Sequence, residues 1–185
     1  MLPNVIFRET GLAGLIEIVP SVFPDDRGLF FESFRQEWKD YLGKDISFVQ
    51  ENQSFSKKGV IRGLHFQKPP FAQAKLVRVI TGKVLDVVID LRRESSTFGK
   101  SYSLVLDSEK QNQLFVPEGF AHGLAALEDS IFFYKCSNVY SKSSEAGIRW
   151  NDTELNIEWP FKNPLVSEKD QELPTLQELI RNSVI

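Results

Sequence analysis

Apolar and polar positions alternate along most of this chain in short runs closed by glycine or proline, the pattern of strands half-buried in a sheet. Residues 4–24 read as two extended segments around a turn at Gly11–Gly14, with Ile16, Ile18 and Val22 alternating with polar or small neighbours and with Pro20 and Pro24 limiting their reach. Asp25-Asp26-Arg27-Gly28 has the composition of a turn, and Leu29 to Phe34 resumes as a strand, so Arg27 and Glu32 flank a tight bend that solvent alone could account for. Phe34, Trp38, Tyr41 and Leu42 then recur at helical spacing and Gly43 stands where a C-terminal cap belongs, which predicts one short packing helix over 35–42. The piece that follows, 48–56, is β-patterned yet includes Gln50, Glu51, Asn52 and Gln53. Such side chains resist burial unless paired, so they line either solvent or a polar cavity.

The run Gly59 to Gln67 sets Arg62 and His65 in an apolar, β-prone stretch that needs neither charge in order to fold. Strict alternation puts these two on opposite faces, so if both serve one pocket Gly63 must bend or bulge the strand. Pro69 and Pro70 make a loop, and 75–91 reads as a hairpin broken at Thr81-Gly82-Lys83. Lys75 shares a face with Val77 and Val79, while Leu76, Arg78 and Ile80 share the other. That lysine is either at an edge or partly buried with an assigned partner or task. Thr97 to Gly99 is a turn, 101–106 and 113–116 are strands, 131–139 is another, Ser167 to Asp170 is a turn, and Leu176, Leu179 and Ile180 suggest a terminal helical turn. Many short strands with almost no helix indicate an all-β protein, an antiparallel sandwich or barrel with a few short helices.

Composition narrows the function. With 185 residues the chain fits a single domain, 1–185, and its fifteen Phe and three Trp exceed what a minimal core requires. The net charge of −3 arises from acids and bases mixed along the chain, without a basic run to neutralise phosphates, so nucleic acid is not expected as a partner. No apolar stretch is long enough to span a bilayer and the N-terminus lacks the features of a signal peptide, so no membrane association is expected and the cytoplasm is the expected compartment. The lone cysteine, Cys136, follows Phe132, Phe133 and Tyr134 and reads as a small buried residue.

Gly59 followed by His65 after five residues, together with Pro117-x-Gly119-x-x-His122, resembles the cupin jelly roll. A metal-binding cupin would have a second histidine where this chain has Gln67 and an asparagine where it has Ala126. Two imidazoles with no carboxylate in register fall short of a metal site, so a metal-free jelly roll is expected. Within that superfamily the chain is similar to the dTDP-4-dehydrorhamnose 3,5-epimerases. The similarity runs through DDRGLFFESF (25–34), 48–67, 73–92, STFGK (96–100), VPEGFAHGLAAL (116–127), YKCSNVYS (134–141), EAGIRWND (145–152) and SEKDQELPTL (167–176).

The resemblance implies epimerisation of dTDP-4-keto-6-deoxy-D-glucose at C3 and C5 through enolates, without a cofactor. It implies His65 as base, Asp170 as the carboxylate holding its imidazole, Lys75 as the cation at the C4 oxygen and Tyr134 as proton donor. It places Arg27, Glu32, Gln50, Asn52, Arg62, His122, Glu145 and Lys169 around the nucleotide and sugar, with Glu51 a further contact and Tyr140 stacked on the thymine. It also implies a homodimer, often with exchanged N-terminal strands, in which the residues near Arg27 could serve the partner's pocket. The competing readings are an epimerase of one carbon or of another nucleotide sugar, a non-catalytic sugar-nucleotide-binding cupin, and a metal-dependent cupin.

Overall fold

The structure, a computed structural model, describes residues 4–43 and 45–185. Strand β1 (Val5–Glu9) folds back on β2 (Ile16–Pro20), and β3 (Phe23–Asp25) with β4 (Gly28–Phe30) makes a small separate hairpin. A 3-10 turn, Gln36–Trp38, leads into α1 (Lys39–Leu42), which Gly43 ends at φ +125°. Then come β5 (Gln50–Ser56), β6 (Ile61–Gln67), β7 (Lys75–Thr81), β8 (Lys83–Asp90), β9 (Ser101–Asp107) and β10 (Gln113–Val116). The chain closes with β11 (Phe120–Ala126), β12 (Ser130–Cys136), β13 (Glu145–Gly147), α2 (Glu168–Gln171) and α3 (Leu176–Arg181).

A six-stranded sheet, in the order β1-β2-β10-β7-β12-β5, packs on a five-stranded sheet in the order β13-β6-β11-β8-β9, and the ladders of both are antiparallel. The core between them takes Val77, Val79, Leu114 and Phe132 from the first sheet and Val84, Val88, Phe120 and Leu124 from the second. The outer faces are also covered. Leu76, Phe115 and Ile18 pack under Trp38 and Leu42, and Leu64, Val87 and Ile89 pack under Leu155, Leu176 and Leu179 of the tail. Burial on both faces is why β8 reads as an almost continuous apolar run rather than an alternating one. No helix among the described residues is long and apolar enough to cross a membrane.

Four expected elements differ. The stretch 75–91 is a corner between sheets rather than a hairpin: β7 pairs with β10 and β12, whereas β8 pairs with β9 and β11. Gly82 alone joins them, one residue short of the tightest common hairpin loop, and it sits at φ +84° where a Cβ would meet the Asp129 carbonyl oxygen at 2.4 Å. The strand expected over 29–34 stops at Phe30, because Phe34 turns away to pack edge-on against Trp38 and Phe48. The strand expected over 131–139 ends at Cys136, where the Asn138 side chain bonds the Pro70 carbonyl and the Val139 N–H. Ser167 to Asp170 begins a helix instead of forming a plain turn, since the Ser167 hydroxyl caps α2 by accepting from the Asp170 N–H.

Candidate functional site

The site begins at an irregularity in β6. Between the pairs His65 with His122 and Arg62 with Leu124, two residues of β6, Gly63 and Leu64, face the single Gly123 of β11. This bulge cancels the alternation that would have parted Arg62 from His65, and both side chains line one cavity of about 300 Å³. Gly63 has φ +111°, and a Cβ there would lie 2.7 Å from the Gly123 Cα and 2.8 Å from the His122 carbonyl oxygen. No side chain fits.

Asp170, delivered by the first turn of α2, locks the bulge and the imidazole together. Its Oδ2 accepts from the Gly63 N–H at 3.1 Å, and its Oδ1 lies 2.7 Å from His65 Nε2. Burial works to raise the Asp170 pKa, but the His65 contact and the Gly63 N–H outweigh it and hold the carboxyl below its ordinary value. A carboxylate at Nε2 selects the Nε2–H tautomer and leaves Nδ1 with its lone pair free to take a proton.

Lys75 and Tyr134 come from the opposite sheet and line the same cavity, the Lys75 Nζ lying 6.0 Å from the centroid of the phenol ring. Lys75 forms no ion pair among the described residues. Burial depresses its pKa below that of an ordinary lysine, with Asp86 and Glu145 among the groups that counter the effect. Burial raises the Tyr134 phenol, which therefore stays protonated at neutral pH. His122 is buried and bonds Asp86 Oδ2 through Nε2 at 2.8 Å, giving a second imidazole–carboxylate pair beside the first. Arg62, His122 and Lys169 complete this part of the wall.

A second lobe shares His65, Lys75 and Tyr134 and adds Gln50, Asn52, Tyr140 and Glu145. The Gln50 amide donates to Asn52 at 3.2 Å. At the rim, Tyr140 donates its hydroxyl to Glu145 Oε2 at 3.0 Å and Lys169 bonds Glu145 Oε1 at 2.6 Å. Burial would raise the Glu145 carboxyl, but Lys169 and Tyr140 together hold it below its ordinary value.

Three expected residues are not at the cavity. Alternation along β5 turns Glu51 to the outer face, where it pairs with Lys135. The Arg27 side chain, 90% exposed at the tip of the β3–β4 hairpin, pairs with its own neighbour Asp25. Glu32 faces Arg35 on the same N-terminal stretch. Conversely, Asp86, Ser54, Ser167 and Gln73 belong to the site or its support and were not anticipated. Asp86 had a signal, since in Val84-x-Asp86-x-Val88 a carboxylate interrupts the inward row of an apolar strand. Cys136 is buried, and burial raises its thiol pKa, which keeps it an unreactive neighbour of Lys75 across the ladder. No group of three or more His, Cys, Asp or Glu among the described residues is arranged to hold a metal ion.

The sequence profile of the family described as dTDP-4-dehydrorhamnose 3,5-epimerase matches residues 9–178. A dTDP-4-dehydrorhamnose 3,5-epimerase of Shigella flexneri is 50% identical over 169 residues, 90% of this chain and 92% of that one. The crystal structure of a dTDP-6-deoxy-D-glucose-3,5-epimerase of Legionella pneumophila, in complex with dTDP-4-keto-L-rhamnose, superposes with a TM-score of 0.93 at 38% identity, covering 98% of this chain and 97% of that one. A 3'-monoepimerase of Streptomyces bikiniensis, in complex with dTDP-quinovose, has a TM-score of 0.91 at 31% identity, with 96% and 91% covered.

Proposed function

The chain belongs to the dTDP-4-dehydrorhamnose 3,5-epimerase family, and from that premise we infer the roles of the residues that converge in its cavity. The protein converts dTDP-4-keto-6-deoxyglucose to dTDP-4-keto-L-rhamnose by inverting C3 and C5. Both carbons adjoin the C4 carbonyl, so loss of either proton gives an enolate and calls for no electron carrier. What is needed is a base, a charge at the carbonyl oxygen and an acid on the other face of the ring.

We assign the base to His65 Nδ1, which the Asp170 contact at 2.7 Å leaves unprotonated and whose conjugate acid the carboxylate then stabilises. Lys75 supplies the cation at the C4 oxygen. Among the described residues its ammonium has no competing ion pair, so the charge developing on the enolate is matched by one already fixed in place. Tyr134, kept neutral by burial, returns a proton from the opposite side. Base and acid stand on opposing sheets, β6 and β12, so a sugar ring between them presents a different face to each. Arg62 and Lys169 suit the diphosphate, and Tyr140 offers a ring face to the base. The whole of 1–185 is read as one catalytic domain.

The observation that carries these assignments is the meeting of the His65–Asp170 pair, Lys75 and Tyr134 in one cavity. In deuterated water the substrate should acquire label at both C3 and C5, followed by NMR. The monoepimerase relative shares the fold, so label at one carbon alone would select single inversion, and label at neither would refute the assignment.

We also propose a homodimer. Phe23, Leu29 and Phe30 expose large apolar surfaces on the hairpin that carries Arg27, away from this chain's own cavity, as a hairpin reaching into a partner would.

A further inference from the structure

We propose that Gln67 is a positioning residue for the nucleotide end of the substrate, holding the segment that carries Tyr140 from both sides. This rests on the epimerase reading and adds to it a residue with no chemical role of its own. Gln67 ends β6, two places after His65, and is 8% exposed. Its Oε1 accepts from the Ser141 N–H at 2.7 Å, and its Nε2 donates to the Val139 carbonyl at 3.1 Å and to the Phe71 carbonyl at 2.6 Å. The residues immediately before and after Tyr140 are therefore fastened to one side chain. The Tyr140 N–H itself donates to Gln50 Oε1 at 2.9 Å.

Tyr140 needs such fastening. It lies outside any strand, in the irregular stretch between β12 and β13, and the residue is 53% exposed at the rim. Its hydroxyl is tied to Glu145, and Glu145 is the register partner of Gln67 across the β6–β13 ladder. An aromatic platform on a loose loop must be ordered whenever ligand binds, whereas one ordered beforehand binds more tightly without new contacts. The side chain at 67 must offer two donors and one acceptor at the end of one flexible stem. Glutamine provides this, while glutamate lacks the donors and methionine lacks both.

The expected pattern is a loss of affinity without a loss of chemistry. Gln67→Met should raise both KM for the dTDP-sugar and Kd for dTDP by about tenfold while kcat stays within about twofold, the size of one ordering step. In a Tyr140→Leu background the same replacement should add less than about twofold to the Kd for dTDP, because the ring it positions is gone. Folding of each variant is checked by circular dichroism and thermal melting. Should Q67M not fold, Q67E, which keeps the acceptor for Ser141, enters the same cycle with the same expectation. An unchanged Kd in a folded variant, a fall in kcat at constant KM, or an equal loss with and without the Tyr140 ring would each overturn the proposal. Wild-type protein that fails to bind dTDP at all would instead remove the functional reading, and the proposal with it.

Discussion

At the scale of single residues, Lys75 makes the most exposed commitment. It must be charged to stabilise an enolate, and burial lowers its pKa, so the protonated fraction disappears at a lower pH than for a surface lysine. The rate should accordingly fall on the alkaline side at a pH below 10.5, the ordinary lysine value. Burial raises the Tyr134 phenol above its ordinary 10.0, so it does not give up its proton earlier than an ordinary tyrosine. Lys75→Arg, which cannot lose its charge in this range, should retain some activity and move the alkaline limb upward in a profile of kcat/KM against pH, and a limb that stays in place would assign it to another group. Replacing Lys75 by Met should lower kcat by about 10²–10³-fold, the usual loss for one oxyanion stabiliser. Which residues converge on the cavity was partly legible beforehand. His65 and Lys75 stood out because a β-run does not need their polarity, and Asn52 and Gln50 because a strand so rich in amides must face a polar space. Glu51 was misplaced by its neighbours, since adjacent positions on a strand face opposite ways. Asp86 passed unnoticed because its partner, His122, is thirty-six positions away and only the fold pairs them.

At the scale of elements, the bulge in β6 is where local sequence and site meet. Gly63 allows Arg62 and His65 to share a side, and its N–H is bonded by the carboxylate that orients the imidazole. Gly63→Ala should destabilise the fold by about 3 kcal/mol or more, combining a disfavoured positive φ with a backbone clash, and should depress activity further in the molecules that still fold. Urea denaturation and turnover of the folded fraction measure the two effects, and a variant of full stability and activity would show that the bulge is dispensable. The need for this irregularity could be read from the sequence, because alternation and a shared pocket conflict at that glycine. The corner at Gly82 could not. Its flanking runs have the β-prone composition and the turn residues of a hairpin, and only the pairing of β7 and β8 with strands far along the chain reveals that the sheets change there. The partners of a strand are set by packing across the molecule, to which a local pattern is blind.

At the scale of the whole molecule, two sheets bring reacting groups to face each other, and a second copy is expected to finish the site. If Arg27 of one protomer serves its partner, an Arg27→Ala chain mixed with a His65→Ala chain should form hybrids in which one pocket has both side chains. Unfolding and refolding the two inactive variants together should then recover up to about a quarter of wild-type activity, as random pairing into two-fold dimers predicts. No recovery would place Arg27 outside the partner's pocket, and a monomer by ultracentrifugation would dispose of the dimer. The all-β architecture was legible from strand length and turn spacing, whereas a docking place for the exposed β3–β4 hairpin was not, because one chain's pattern does not say what covers such a surface. The central claim is a division of labour across the gap between the sheets, with the proton leaving to His65 and returning from Tyr134. His65 is 32% exposed, so a proton it takes exchanges with solvent before going back. The most direct test is Tyr134→Phe in deuterated water, with label and configuration at C3 and C5 read by NMR. Label that enters without inversion is the predicted result, whereas inversion at the wild-type rate, or a folded variant that takes up no label, would contradict it.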